Sequence, residues 1–191
     1  EMHRTLVCGH RSLSSSRSRR HYPYNVKNPD AIVIGAGIVG ASCALYLTNA
    51  GLRVLVVDRG PVAGGTTGAG EGNILISDKA PGDELTLALR SRDLWFEIQE
   101  DVGDTFELEP KGGVVVALHD DQPLKDFARA QRFAGVDAQE VSDKELHELE
   151  PHLTREITSG VFYPQDSQCQ PMLATAHILR TVRARGGEVI T

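Results

Sequence analysis

Gly35, Gly37 and Gly40 stand in G-x-G-x-x-G spacing within IVIGAGIVG. A phosphate approaches a backbone this closely only where side chains are missing. The free N–H groups of a helix start, here the turn that opens at Ile38, carry the partial positive charge that holds it. Gly35 permits a tight turn, Gly37 lets a pyrophosphate reach the chain, and Gly40 lets a helix lie against a strand. A second apolar run, RVLVVD, closes on Asp58, 18 residues beyond Gly40. An acid there accepts hydrogen bonds from a ribose diol and disfavours a 2′-phosphate, although Arg59 beside it keeps that phosphate in contention. Glycine spacing by itself is a weak signal. Set between a buried strand, a helix, a second strand and a terminal acid, it reads as a dinucleotide site rather than a turn without a ligand.

The motif alone does not choose between NAD and FAD. The segment after Asp58 is more informative. A nicotinamide-type half returns to a helix soon after its second strand, whereas residues 59–82 are rich in Gly, Pro and Thr. Within them GGTTGAGEGN holds no large apolar side chain, and its glycines make it costly to order. A floppy linker and a backbone closely approached by a ligand both fit that composition. Its place after the ribose acid favours the second, with an extended FAD threaded past it.

Elements must position these residues. AIVIG (31–35) and RVLVVD (53–58) read as buried strands, with a helix over 38–50 stopped by Gly51. Asp83 is expected to cap a long helix closed by Gly103, with Leu85, Leu89, Trp95, Phe96 and Ile98 on its apolar face. FELEP and GGVVVALHD read as strands, and QPLKDFARAQRFAG as a helix with Pro123 in its first turn. VDAQEVS reads as a weak strand. Ser142 to Glu145 has capping-box spacing, and the short helix it opens ends before Pro151. GVFYPQD is a short strand or turn, PMLATAHILRTVRARGG a helix, and GEVIT the start of a strand. A strand-sized piece at the end is expected of a chain cut short.

The composition, 40% hydrophobic and 24% charged, is that of a soluble globular protein. Residues 1–30 carry a net charge of +4 and the rest −10, so the folded part is acidic and nucleic acid is not an expected partner. Cys8, Cys43 and Cys169 lie far apart in an odd count, which argues for a reducing compartment and against a disulfide framework. Cys43, within the nucleotide helix, is expected to be a small buried residue and not a flavin attachment point. The seven histidines show no ligand spacing, and no metal site is expected. The Arg/Ser-rich segment 1–29 reads as a disordered basic tail with transit-peptide composition. The glycine motif, not a signal peptide, accounts for the apolar run 31–47.

The chain resembles the FAD-dependent amine oxidoreductases of the D-amino-acid oxidase, glycine oxidase and sarcosine oxidase group. The resemblance rests on DAIVIGAGIVGASCALYLTNAGLRVLVVDRG, then GGTTGAGEGNILISDK, KGGVVVAL, VSDKELHELEP and GVFYPQDSQCQPMLATAHILRTVRARGGEVI, in that order. The wording GTTGAGEGN and DSQCQPMLAT looks closest to opine oxidase and hydrogen cyanide synthase flavin subunits. The resemblance implies that Gly65, Thr66, Thr67 and Gly68 contact the cofactor and that Gly70, Gly72 and Asn73 lie near the flavin ring. Glu71 is read as solvent-facing, with a substrate-amine site as the alternative. It further implies oxidation of a C–N bond, with hydride passing to flavin N5 and the imine then hydrolysed. The group's carboxylate-binding arginine lies in a later half that this sequence does not contain, so no catalytic residue is assigned.

The expected architecture is therefore α/β: a Rossmann-type FAD-binding domain with an inserted α+β substrate domain, truncated at the C-terminus. The expected division is a tail (1–29), FAD-binding residues 30–104, the start of a substrate domain (105–168), and a return to the FAD-binding domain (169–191). The expected function is FAD-dependent oxidation of an amino acid or secondary amine, of glycine, D-amino-acid or opine type. An NAD-dependent dehydrogenase and a non-catalytic nucleotide-binding subunit of a larger flavin dehydrogenase complex are the alternatives. The cytoplasm is the expected location, with the inner face of the membrane as a second station.

Overall fold

The structure, a computed structural model, describes residues 28–191. The basic segment read as a tail lies, but for Asn28 and Pro29, outside the described residues. Three short strands, β1 (Ala31–Ile34), β2 (Val54–Val57) and β8 (Glu188–Ile190), form a parallel sheet in the order β1-β2-β8. Helix α1 (Ile38–Asn49) leaves β1, and α6 (Pro171–Ala184) leads into β8. The two helices pack together through Ala41, Ala44 and Leu45 on one side and Ala174, Ile178 and Leu179 on the other, over Val54 and Val56. Each fully buried Leu or Ile there contributes about 1.5–3 kcal/mol. At the far end of these helices Arg185 pairs with Asp101 at 2.8 Å and also bonds Asn49.

The second sheet is antiparallel: β4 (Gly113–Val116), β6 (Gly160–Tyr163) and β5 (Gln139–Val141), in the order β4-β6-β5. Its core joins Val161 and Tyr163 to Ala128 of α4 (Gln122–Phe133), to Ile76, and to Leu85 of α3 (Asp83–Val102). Helix α5 (Asp143–Leu149) opens on the expected capping box, with Ser142 and Glu145 each bonding the other's backbone N–H. A two-residue ladder of β3 (Asn73–Ile74) with β7 (Ser167–Gln168) lies between the two sheets in the chain order.

Several expectations need correction. FELEP alternates as a strand does, burying Phe106 and Leu108, yet it forms only an isolated bridge from Glu109 to Gln168. Glu107 adopts a φ of 55°, which takes the backbone out of the extended region. Asp83 is the first helical residue, not the cap, which is Gly82; its carboxylate suits the positive helix end at either position. Cys43 is exposed, because α1 buries the face carrying Ala41, Ala44, Leu45 and Thr48 and turns Cys43 away from it. The loop 59–82 also contains elements the sequence did not announce, α2 (Thr66–Ala69) and β3.

Gly40 fixes the distance between α1 and β1. A Cβ there would fall inside the radius of the Gly35 carbonyl oxygen and 3.3 Å from Val33 Cγ1. Both are firm neighbours, one of them backbone. Gly40→Ala should therefore lower stability by about 1–3 kcal/mol, the usual cost of overpacking. Urea unfolding checks this, and an unchanged midpoint would show that α1 is free to move outward.

Candidate functional site

The turn from β1 into α1 runs through Gly35, whose φ of 115° is open to glycine and strained for other residues. Gly37 is the N-cap of α1, in extended conformation and without a side-chain cap, and the first turn carries no acid. Two side chains from the following loop meet this helix start. Asp58 Oδ2 accepts the Ala36 N–H at 2.6 Å, and Thr67 Oγ1 accepts the Ile38 N–H at 3.1 Å. Gly60 N–H donates to the other Asp58 oxygen at 3.0 Å. These backbone donors, Ala36 first, hold the Asp58 carboxyl below its ordinary value. It is thus ionised at neutral pH, as an acceptor for a diol must be.

Two openings meet at the helix start. A cleft of about 380 Å³ is lined by Gly37, Asp58, Arg59, Gly65, Thr66 and Thr67. A larger cavity of about 610 Å³ begins at Ile38, Thr66 and Thr67 and continues along Gly70, Gly72 and Asn73. It then reaches Ile74, Leu75 and Lys79, and α3 closes it with Ala88, Ser91 and Trp95 among others. Short helix α2 presents Thr66 and Thr67 to both openings. An extended ligand running from Asp58 past Gly37 to Asn73 would stay in contact with this chain throughout.

Ten of the thirteen residues singled out in the sequence as cofactor contacts line one or both of these openings. Gly35 and Gly40 shape the turn behind them. Gly68 lies in a third cleft, of about 220 Å³, as well as in the α2 turn, and its missing side chain clears the Ala63 carbonyl.

 The ten are Gly37, Ile38, Asp58, Arg59, Gly65, Thr66, Thr67, Gly70, Gly72 and Asn73; Gly68, Gly35 and Gly40 complete the thirteen. Glu71 is exposed, as its solvent-facing reading had it, and accepts the Asn73 side-chain N–H at 3.1 Å. Sequence reasoning missed the residues that hold the far wall of the cavity. Asp166, Gln131 and Tyr163 are buried and bonded to or around the segment 76–79. Nothing in the sequence around Asp166 (PQDSQ) or Gln131 (RAQR) marked these residues as buried. Among the described residues no group of three or more His, Cys, Asp or Glu is placed to hold a metal ion. None of their helices is long and apolar enough to cross a membrane.

The lowered pKa of Asp58 makes its contribution to stability depend on pH. A carboxyl depressed in the folded state contributes stability above its unfolded value of 3.8, and loses it as pH falls through the folded value. Asp58→Asn should therefore be less stable than the parent at neutral pH, and the gap should close in acid. Urea midpoints measured across that range check it; a gap independent of pH would mean that the charge plays no part.

Residues 30–191 match a family model described as FAD dependent oxidoreductase, DAO. Glycine oxidase of Bacillus licheniformis is 28% identical over 173 residues, which cover 85% of this chain and 45% of that protein. The crystal structure of glycine oxidase from Bacillus cereus ATCC 14579 superposes with a TM-score of 0.76 at 24% identity, over 85% of this chain and 46% of that one. Dithionite-reduced L-alpha-glycerophosphate oxidase from Mycoplasma pneumoniae, with FAD bound, gives a TM-score of 0.76 at 20% identity, over 86% and 44%. The chain thus spans less than half the length of these relatives. The family is FAD dependent, which resolves the choice between nicotinamide and flavin that the glycine motif left open. With the match running from Asp30 to the last residue, across both openings and the elements that frame them, the chain belongs to the DAO family of FAD dependent oxidoreductases.

Proposed function

We propose that this chain supplies the nucleotide-binding part of an enzyme that oxidises the C–N bond of an amino acid or secondary amine. The observation that carries the reading is the continuous path from Asp58, past the start of α1, to Asn73. The residues along it fit FAD. The ionised Asp58 is placed for the adenosine ribose diol. The start of α1, where Gly37 contributes no side-chain cap and clears all but the Thr67 hydroxyl, is placed for the diphosphate. Gly70, Gly72 and Asn73 offer backbone to the flavin ring without bulk. When bound, FAD supplies the two-electron acceptor for the substrate carbon. The protein residues orient the ring and restrict water through the wall formed by Ile74, Leu75 and Trp95. The amine assignment draws its support from the relatedness to glycine oxidase. The proposed arrangement keeps 30–104 and 169–191 together as the FAD-binding part and 105–168 as the start of the substrate part. Free thiols at Cys43 and Cys169 fit a reducing compartment, and we place the enzyme in the cytoplasm.

The test is the full-length protein, purified and examined for flavin. A yellow protein that reduces its flavin under anaerobic glycine, sarcosine or D-alanine supports the reading. Reduction by glycerol 3-phosphate alone would replace the amine assignment with C–O oxidation, and a flavin-free protein would overturn the cofactor assignment. A flavoprotein reduced by none of these would favour a subunit that works only within a complex. Asp58→Ala should weaken FAD binding roughly tenfold to a hundredfold, the loss of one hydrogen bond to a charged group. Fluorescence titration of the apoprotein measures it.

A further inference from the structure

The far wall of the 610 Å³ cavity is held by a buried polar clamp. Residues 72–77 are stitched to residues 166–169. Cys169 N–H donates to Gly72 O at 2.9 Å, and β3 pairs with β7. Beyond that ladder the side chains take over. Asp166 Oδ1 accepts the N–H groups of both Ile76 and Ser77, at 2.7 and 3.1 Å. Gln131 Nε2 lies 3.2 Å from Ile76 O, 3.2 Å from Ser77 O and 2.8 Å from Lys79 O. The Gln131 carbonyl accepts the Tyr163 hydroxyl at 2.8 Å. Asp166 is 2% exposed, and Gln131 and Tyr163 are fully buried.

Such a cluster is an inefficient way to gain stability alone. Burying a carboxylate and an amide costs several kcal/mol unless every bond is made, and apolar residues of like size often serve as well. What the polar groups add is direction. They fix the N–H and C=O vectors of Ile76, Ser77 and Lys79. Leu75 and Lys79 of the same segment line the cavity, while Ile76 turns into the core beside Tyr163. Fixing one side of the segment fixes the other.

We propose that Asp166 and Gln131 are positioning residues that set the cavity wall Ile74–Lys79, and through it the seat of the flavin ring. This rests on the flavin reading of the cavity given above. Neither residue lines that cavity, so their effect passes through the wall. Gly113 on β4 gives independent access to the clamp: a Cβ there would stand 2.6 Å from Asp166 Oδ2 and push the carboxylate aside from behind.

The experiment uses the full-length holoprotein and four variants: Asp166→Ala, Asp166→Asn, Gly113→Ala and Arg185→Gln. The last breaks the bonds to Asp101 and Asn49 and serves as a stability comparator. Thermal melting, FAD affinity of the apoprotein and the visible circular dichroism per bound flavin are read well below the melting point. Asp166→Ala should weaken FAD binding about tenfold and reshape the flavin dichroism. Gly113→Ala should move both in the same direction by less. Asp166→Asn, which keeps an acceptor for the two N–H groups, should recover most of the loss. Arg185→Gln should melt lower with native affinity and dichroism. If Asp166→Ala merely melts lower, as the comparator does, the clamp holds the fold and the proposal is overturned. Should that variant fail to fold, native dichroism in Gly113→Ala overturns it equally. A parent protein without flavin overturns this proposal together with the reading beneath it.

Discussion

The closeness of α1 to β1 governs the nucleotide end of the molecule. Because Gly40 has no side chain, the first turn of α1 rests directly on the Gly35 carbonyl. That contact sets where the N–H groups of Ala36 and Ile38 point. Asp58 bonds the first and Thr67 the second, so the loop after β2 is fastened at two places to one helix start. A displacement of α1 by the width of a methyl group would loosen both. The cleft lined by Asp58, Arg59 and Gly65 is therefore a consequence of helix packing rather than a property of the loop. The loop itself has little to hold it, since α2 is a single turn with no buried residue.

The cavity beyond is built on a different basis. Its wall is not packed from its own neighbours in sequence but bonded to residues some 90 positions later, Asp166 above all. Gly72 joins the two systems. A Cβ at that position would collide with the Cys169 carbonyl, and its φ of 82° lets the chain turn from the helix start onto the β3–β7 ladder. The glycine-rich stretch thus serves a contact with protein backbone as well as the approach of a ligand.

This difference explains what the sequence disclosed. Gly35, Gly37, Gly40 and Asp58 were legible because each requirement is local: a turn, a close approach, a strand end. The capping box at Ser142 and Glu145 was legible for the same reason. Asp166 and Gln131 were not, because a polar residue in DSQ or RAQ looks the same whether it faces water or a distant backbone. FELEP shows the limit from the other side. Its alternating burial was readable, but the left-handed Glu107 that prevents a ladder was not, since glutamate has no type preference for that conformation. Cys43 was misplaced because an apolar helix hides which of its faces is inward, and only the packing of α6 decides.

The described part of the chain is strongly acidic, yet the proposed ligand carries a diphosphate. Net charge acts weakly at this range, because salt screens exposed charges over about 8 Å. What the diphosphate meets is the local field. The first turn of α1 has no acid, and its N–H groups present partial positive charge where no side chain stands in front of them. Asp58, the acid bonded at the turn into α1, has its charge partly satisfied by the N–H groups of Ala36 and Gly60, which also hold it at the ribose end of the path. Arg59, exposed at the rim of the same cleft, adds a positive charge. Backbone dipoles, aligned by the glycine contact that seats α1, therefore give an acidic protein a place for a doubly charged group.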